Sequence, residues 1–267
     1  MSEIQAPAAA TPWTTRWASA PVDAVVMAGR CLRLSRRNLD ALLTSLMLPI
    51  MLMLVFVYLF GGAIRTGTAY VTYVVPGVIL LCAGFGSSQT AVSVSHDMTG
   101  GIIDRFRSLD VGGAGFLAGH VVASVVRNTI STVLVLGVAF LIGFRPAGGA
   151  ADWSAVAGIL VLFVLAMSWL SAAVGLLVRS PEAANGFTFV AMFLTYASSA
   201  FVPIDTMPTW IRGFAQNQPV TPIIETVRGL LMGSPTGSSP WRALAWCLGI
   251  LVVSVGASGA LFRWRTR

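Results

Sequence analysis

The chain has 267 residues, of which 56% are hydrophobic and only 10% charged, too little charge to cover a water-exposed surface of that size. A soluble enzyme is thereby excluded in practice, and the bilayer is the solvent that suits this composition. All 17 basic residues are arginine. Coding bias in a GC-rich bacterial genome accounts for the missing lysine, but the consequence is physical. A phosphate-binding loop ending in Gly-Lys-Ser/Thr cannot be built, so any ATP-driven activity draws its energy from another polypeptide. The net charge of +7 does not point to nucleic acid, because the arginines are scattered between apolar runs without a basic face. Cys31, Cys82 and Cys247 are far apart, with neither metal-ligand nor disulfide spacing, and are expected to be free thiols.

In chain order, residues 1–21 are rich in Ala, Pro and Thr and are expected to form a disordered cytoplasmic tail. Ala18-Ser19-Ala20 is not a cleavage site, since no apolar run precedes it. Residues 22–39 carry Arg30, Arg33, Arg36 and Arg37, with Val25, Gly29, Leu32 and Leu39 on another side of the same helix. This suits an amphipathic helix lying on the inner leaflet, its arginines toward lipid phosphates. The plainer alternative is the positively charged flank of the first span.

Residues 40–267 read as one all-α integral membrane domain. Six apolar segments, at about 41–60, 70–95, 120–144, 154–178, 184–203 and 243–262, each approach the length that crosses the hydrocarbon. They are continuously apolar, without the alternation of a barrel strand. Pro49 and Pro76 fall inside the first two, and small residues recur at helix-packing intervals in Ser168/Ala172, Ser171/Gly175 and Ala245/Gly249. With six spans both termini share one side. That side carries eleven arginines against five on the other, so the positive-inside rule makes both termini cytoplasmic.

Two connections carry patterns of their own. After the second span, Gly100-Gly101 break the helix, and Ile102, Phe106 and Leu109 then recur on one face of a short helix. Asp104, Arg105, Arg107 and Ser108 occupy the other positions. Such a helix is a peg for a partner's groove or an ordinary interfacial helix. The connection at 204–242 is the longest and faces outward. In it Pro208 begins a stretch with Trp210, Ile211 and Phe214 clustered for burial. Thr221-Pro222 reads as a cap followed by proline at the first helical position. Ile223, Ile224, Val227, Leu230 and Leu231 form an apolar stripe ending near Gly233, while Glu225 and Arg228 are spaced for an ion pair. A lid or re-entrant hairpin and a plain surface loop both fit.

Polar residues inside spans mark helix contacts or a pathway. Gln89 and Ser93 in span two, with Asn185, Thr188, Thr195 and Ser199 in span five, are the candidates for a pathway or dimer face. His120, Ser124, Arg127 and Ser131 share a face in span three, with Arg127 expected to snorkel from the cytoplasmic end. No acidic residue is expected well inside a span, which weighs against proton coupling. No metal-ligand or nucleophile constellation is apparent, so no catalytic, metal or cofactor residue is expected.

Several of these stretches together carry a resemblance. Thr99-Gly-Gly-Ile-Ile-Asp-Arg-Phe-Arg-Ser-Leu-Asp-Val111 resembles the segment after the second span of ABC transporter type-2 permeases, the daunorubicin/doxorubicin-resistance type most of all. Phe201-Val-Pro-Ile-Asp-Thr-Met-Pro-Thr-Trp210, with Gln218-Pro-Val-Thr-Pro222 and Glu225-Thr-Val-Arg-Gly-Leu-Leu231, is similar to the outer hairpin of that family. Pro222 departs from it, since an aromatic residue is commoner there. The resemblance covers about residues 25–265.

It implies the permease subunit of an ATP-driven exporter in a bacterial inner membrane, not itself an enzyme. Residues 22–39 would be the elbow helix, and residues 99–110 the coupling helix in the ATPase groove. The 204–242 hairpin, through Pro208, Trp210, Phe214, Glu225 and Arg228, would close the pathway outside. Two ATPase subunits binding ATP and Mg and a second permease, identical or homologous, are the implied partners. An amphipathic drug, antibiotic or lipid is the implied cargo. A secondary multidrug carrier and an intramembrane hydrolase are the rival readings.

Overall fold

The computed structural model describes residues 20–37, 39–64, 66–100 and 113–265, and these contain helices and turns but no strand. Helix α1 spans Ala20–Arg37, and α2 spans Leu39–Val55 and continues as a π-helical turn, Phe56–Phe60. Next come α3 (Tyr70–Thr99), α4 (Gly113–Leu141), α5 (Ala150–Leu177) and α6 (Pro181–Tyr196). A single 3-10 turn, Ile204–Thr206, leads to α7 (Thr209–Asn217), α8 (Val220–Met232) and α9 (Ser239–Arg265).

Four helices, α3, α4, α5 and α9, are 27–30 residues long and apolar enough to cross a membrane. At ~1.5 Å per residue they exceed the ~30 Å of hydrocarbon. The segments expected as spans one and five are shorter helices. Among the described side chains the apolar part of α2 with its π turn is Leu46–Phe60, and α6 has 16 residues, about 24 Å of helix. Helix α6 stops early because hydroxyls compete for its backbone. Ser198 Oγ donates to the Thr195 carbonyl and accepts from the Ala200 amide, so 197–200 turns.

Helix ends follow their local chemistry. Gly100 ends α3 as expected, its N–H returning to the His96 carbonyl. Ser180 caps α6 by accepting from the Ala183 amide at 3.2 Å, with Pro181 in the first turn. Gly233, at φ 63°, ends α8 in the left-handed conformation that glycine adopts without strain. The start of α8 differs from the expected Thr221 cap. The helix begins at Val220, whose amide is capped by Gln218 Oε1 at 3.0 Å, while Thr221 Oγ1 donates to the Ala215 carbonyl at 2.6 Å. Proline at the third position costs nothing there, since first-turn amides have no partner within the helix.

Helix α3 is the hub, packed by α2, α4, α5, α6 and α8, and most of its middle is sealed inside the protein. Val74, Val75, Val78 and Ile79 join a core that also takes Ile223, Ile224, Val227 and Leu231 from α8. The apolar stripe of α8 thus faces inward, in the main core. A smaller cluster lies at the far end of α3, where Val94 is grouped with Met27, Phe116, Leu117, Ala172, Leu176 and Phe262. Helix α1 packs chiefly on α4, and α9 on α5 and α8.

Close helix approach depends on missing side chains. A methyl at Gly77 would lie 2.7 Å from Ala200 Cα, and one at Gly175 would lie 2.5 Å from the Ala91 carbonyl oxygen. In both cases the obstacle is backbone, which cannot rotate aside. Gly77→Ala and Gly175→Ala should each destabilise by roughly 1–3 kcal/mol and lower the Tm in detergent. Gly158→Ala and Gly249→Ala, where nothing lies within 4 Å, should leave it unchanged. Equal Tm values for all four would contradict this packing.

Candidate functional site: polar junctions at the two ends of the hub helix

Near its C-terminal end α3 buries an acid. Asp97 is 6% exposed, on the last turn of the helix, in a chain whose acids are expected in loops. An isolated carboxylate there would cost several kcal/mol, so partners are obligatory. Arg30 from α1 supplies two charge-assisted bonds, Nη1 to Oδ2 at 2.8 Å and Nη2 to Oδ1 at 3.4 Å. His120 from α4 supplies the other, Nε2 to Oδ2 at 3.2 Å. The bond to Asp97 holds the Arg30 guanidinium above its ordinary pKa.

The far side of the imidazole meets a thiol, with His120 Nδ1 3.7 Å from Cys31 Sγ. Phe116 sets its ring edge-on to His120, centroids 4.8 Å apart. Three helices therefore converge on one carboxylate, three residues before Gly100 and the chain that follows. Ile102, Asp104, Arg105, Phe106, Arg107 and Leu109 lie outside the described residues, as do the side chains of Arg36 and Arg37. Arg30, read from the sequence as facing lipid headgroups, turns inward to Asp97, whereas Arg33 is exposed.

The opposite junction lies 24 residues back along α3, at Tyr73. Arg228 of α8 donates from Nε and Nη2 to the Tyr73 carbonyl at 3.2 and 3.1 Å and from Nη2 to the Ser199 carbonyl at 2.7 Å. Its guanidinium carbon sits 3.8 Å from the Tyr73 ring centroid, a cation–π contact. Tyr73 and Tyr70 hydroxyls donate to the Ser199 and Phe201 carbonyls at 3.0 and 2.8 Å. Gln218 Nε2 adds a bond to the Leu194 carbonyl at 3.1 Å. Arg228 thus ties α8 to α3 and to the turn after α6, where the Ser199 carbonyl lies beyond the end of that helix.

The expected Glu225–Arg228 ion pair is not made. Arg228 is drawn inward by these carbonyls, and Glu225 Oε2 accepts from Ser239 Oγ at 3.0 Å. Both line a polar cavity of about 470 Å³ with Asp205, Asn217 and Arg242. Trp210 and Phe214, expected to cluster for burial, are 80% and 46% exposed, because α7 buries Ala215 instead. Pro208 immediately precedes that helix.

The remaining polar candidates divide. Thr188, Thr195 and Ser199 are buried in helix contacts, Thr188 Oγ1 lying 2.9 Å from Ser88 Oγ and Thr195 Oγ1 donating to the Ala191 carbonyl. Asn185 is exposed, and Gln89 and Ser93 are half-buried on one face of α3. Asn128, absent from the sequence reading, joins Ser124, Ser87 and Ser168 in a buried hydroxyl network. Asp97 was also passed over, because a lone acid next to a loop reads as solvated. Its signal was the position of His96-Asp97 before the Gly pair, which keeps it on the helix.

A family model described as ABC-2 type transporter matches residues 23–232. The chain belongs to the ABC-2 type transporter family. It is 29% identical over 218 residues to the daunorubicin resistance ABC transporter permease protein DrrB1 of Streptomyces coeruleorubidus, covering 80% of this chain and 74% of that protein. It is 27% identical over 219 residues to the probable doxorubicin resistance ABC transporter permease protein DrrC of Mycobacterium tuberculosis (strain CDC 1551 / Oshkosh), covering 81% and 79%. The same values hold for DrrC of strain ATCC 25618 / H37Rv. As an ABC-2 permease the chain is the membrane subunit of an ABC transporter, which implies an ATPase partner.

Both junctions give measurable expectations for the permease. Asp97→Asn should loosen α1 and raise maleimide labelling of Cys31 several-fold, while buried Cys82 and Cys247 stay silent. Unchanged labelling would mean that Asp97 does not hold α1. Arg228→Ala should lower stability by on the order of 2–3 kcal/mol, and Arg228→Lys should recover little, since an ammonium cannot span both carbonyls. Glu225→Ala should cost about 1 kcal/mol or less. Equal Tm shifts for the three variants would contradict the stitching role of Arg228.

Proposed function

We propose that this chain is the permease half of an ATP-driven exporter in a bacterial inner membrane. In this reading the two shorter apolar helices complete six spans with α3, α4, α5 and α9, and both termini are cytoplasmic. Residues 1–21 are a cytoplasmic tail, and residues 40–267 form the permease domain. Helix α1 is the elbow helix, with Arg33, Arg36 and Arg37 available to lipid headgroups. Residues 99–110 form the coupling helix, Phe106 and Leu109 filling a groove of the ATPase. The α7–α8 hairpin closes the pathway on the outer side. Two ATPase subunits, which bind ATP and Mg, and a second copy of this or a homologous permease complete the assembly.

The observation that carries this reading is the position of the Asp97 junction. A segment pushed by an ATPase leaves α3 three residues beyond a carboxylate that is bonded to α1 and α4. Force applied there reaches three helices together rather than bending one. ATP binding would favour the arrangement in which the ATPases are closed, and the junction would pass that bias to the spans. At the other end, Arg228 would hold the hairpin on α3 until the helices move. The relatives' names, which refer to daunorubicin and doxorubicin resistance, together with the apolar and hydroxyl-lined helices, support an amphipathic cargo.

A proton-coupled carrier is the second reading, and Asp97 with His120 is the observation in its favour. Its weakness is that the carboxylate lies near a helix end and is already engaged by Arg30.

Tagged protein should co-purify with an ABC ATPase, and efflux should stop on ATP depletion while surviving a protonophore. Phe106→Asp or Leu109→Asp should abolish ATPase association and transport without loss of membrane insertion. Efflux that stops with the protonophore and persists without ATP would replace the exporter reading with the carrier. Normal association in both variants would move the coupling role away from residues 99–110.

A further inference from the structure

Arg127 is the middle residue of α4, with 14 residues on either side between Gly113 and Leu141. At ~1.5 Å per residue it stands about 21 Å from each end of a helix apolar enough to cross a membrane. An arginine side chain covers only part of that distance, so the guanidinium stays alongside α3, where it meets the Gly86 carbonyl. Its hydrogen bonding is also poor. Nη2 donates to the Gly86 carbonyl at 3.4 Å, and its other nitrogens find no partner among the described residues.

Among the described residues no acid pairs with Arg127. Asp97 is engaged by Arg30 and His120, about 10 Å along α4 from Arg127 by the seven residues that separate it from His120. No other Asp or Glu occurs between Tyr70 and Thr99 or between Gly113 and Leu141. A guanidinium inside the helix bundle, without a counter-charge among the described residues, costs several kcal/mol, and an anion brought to it would recover much of that.

The surroundings suit a ligand with a polar head and an apolar tail. On α3, Gly86, whose carbonyl meets the guanidinium, shares one half-buried face with Gln89 and Ser93 at helical spacing. Gly86 leaves no room for a larger residue, since a Cβ there would collide with Asn128 Oδ1. Along α4 from Arg127, Val126, Ile130 and Val133 are 37%, 57% and 62% exposed. They make an apolar track for a hydrocarbon chain.

We infer that Arg127, with Gln89 and Ser93, binds the phosphate or carboxylate head of an anionic amphiphile drawn from the membrane. The amphiphile's tail follows the exposed track on α4, and a cationic amphiphile of the same length is disfavoured by the uncompensated charge. The inference stands apart from the exporter reading: the amphiphile is a membrane lipid held by the permease, not its cargo. Binding is measured without ATPase or transport, so failure of one leaves the other standing.

The test is native mass spectrometry of the purified full chain in neutral detergent, titrated with dioleoyl phosphatidylglycerol, oleate, oleylamine or inorganic phosphate. Phosphatidylglycerol and oleate should bind and displace one another, and oleylamine, a cation of the same chain length as oleate, should bind at least tenfold more weakly. Inorganic phosphate in excess should not displace the lipid. Arg127→Gln should weaken phosphatidylglycerol binding about tenfold, and Arg127→Lys should keep most of it. Equal binding of the anionic and cationic amphiphiles to the wild type would overturn the site, whether or not the glutamine variant folds. So would displacement by inorganic phosphate, or full affinity in a folded Arg127→Gln variant.

Discussion

One carboxylate governs the end of the bundle from which residues 101–112 leave. Asp97 is buried in α3, and burial obliges the protein to bring cations to it from elsewhere. The cations come from two other helices, Arg30 on α1 and His120 on α4, so satisfying the charge also fixes where those helices lie. Met27, one turn before Arg30 on the face that meets α4, sits against Gly119, where a side chain would collide with it. Apolar contact and ion pairing therefore specify the same register. Such a junction is more than adhesive, since truncating it on one side would leave a stranded charge on the other. It ties three helices to one another through a single side chain.

The second junction solves a different problem. The chain turns sharply after α6, and the carbonyls of Ser199 and Phe201 need donors. Tyr70, Tyr73 and Arg228 supply them, and Arg228 comes from a hairpin that apolar packing and the Gln218–Leu194 bond also hold. Hydrogen bonds to main-chain carbonyls can be exchanged for bonds to water more cheaply than a buried ion pair can be broken. The Tyr73 end is thus the more readily opened of the two. The polar cavity beside it, with Asp205 and Arg242 on its wall, already brings solvent-compatible groups to that end.

Much of this was legible from residue patterns, for reasons tied to what each pattern encodes. Helix positions followed from apolar run length, and Gly100 and Gly233 marked helix ends because each carries a backbone requirement. The relation to ABC-2 permeases was legible in the segments around 99–111 and 201–231, and the family match over 23–232 bears it out. Partner choice was not legible. Glu225 and Arg228 have the spacing of an ion pair, yet the carbonyls at Tyr73 and Ser199, contributed by chain 155 and 29 residues away, outcompete it. Asp97 looked like a loop acid because Arg30 and His120 are 67 and 23 residues distant. Trp210 was misread for a related reason: local spacing gives a helix its faces, but only its neighbours decide which face is covered, and α7 turns Ala215 inward.

The claim that α1, α3 and α4 are held as one body through Asp97 is tested most directly by a double-mutant cycle. Arg30→Ala, Asp97→Ala and the double variant would be compared with the wild type by equilibrium unfolding in detergent. If the junction acts as described, the two losses are not additive, and the coupling energy is about 1–3 kcal/mol. Additivity within about 0.5 kcal/mol would mean that Arg30 and Asp97 are neighbours without consequence, and the mechanical link between α1 and α3 would fall.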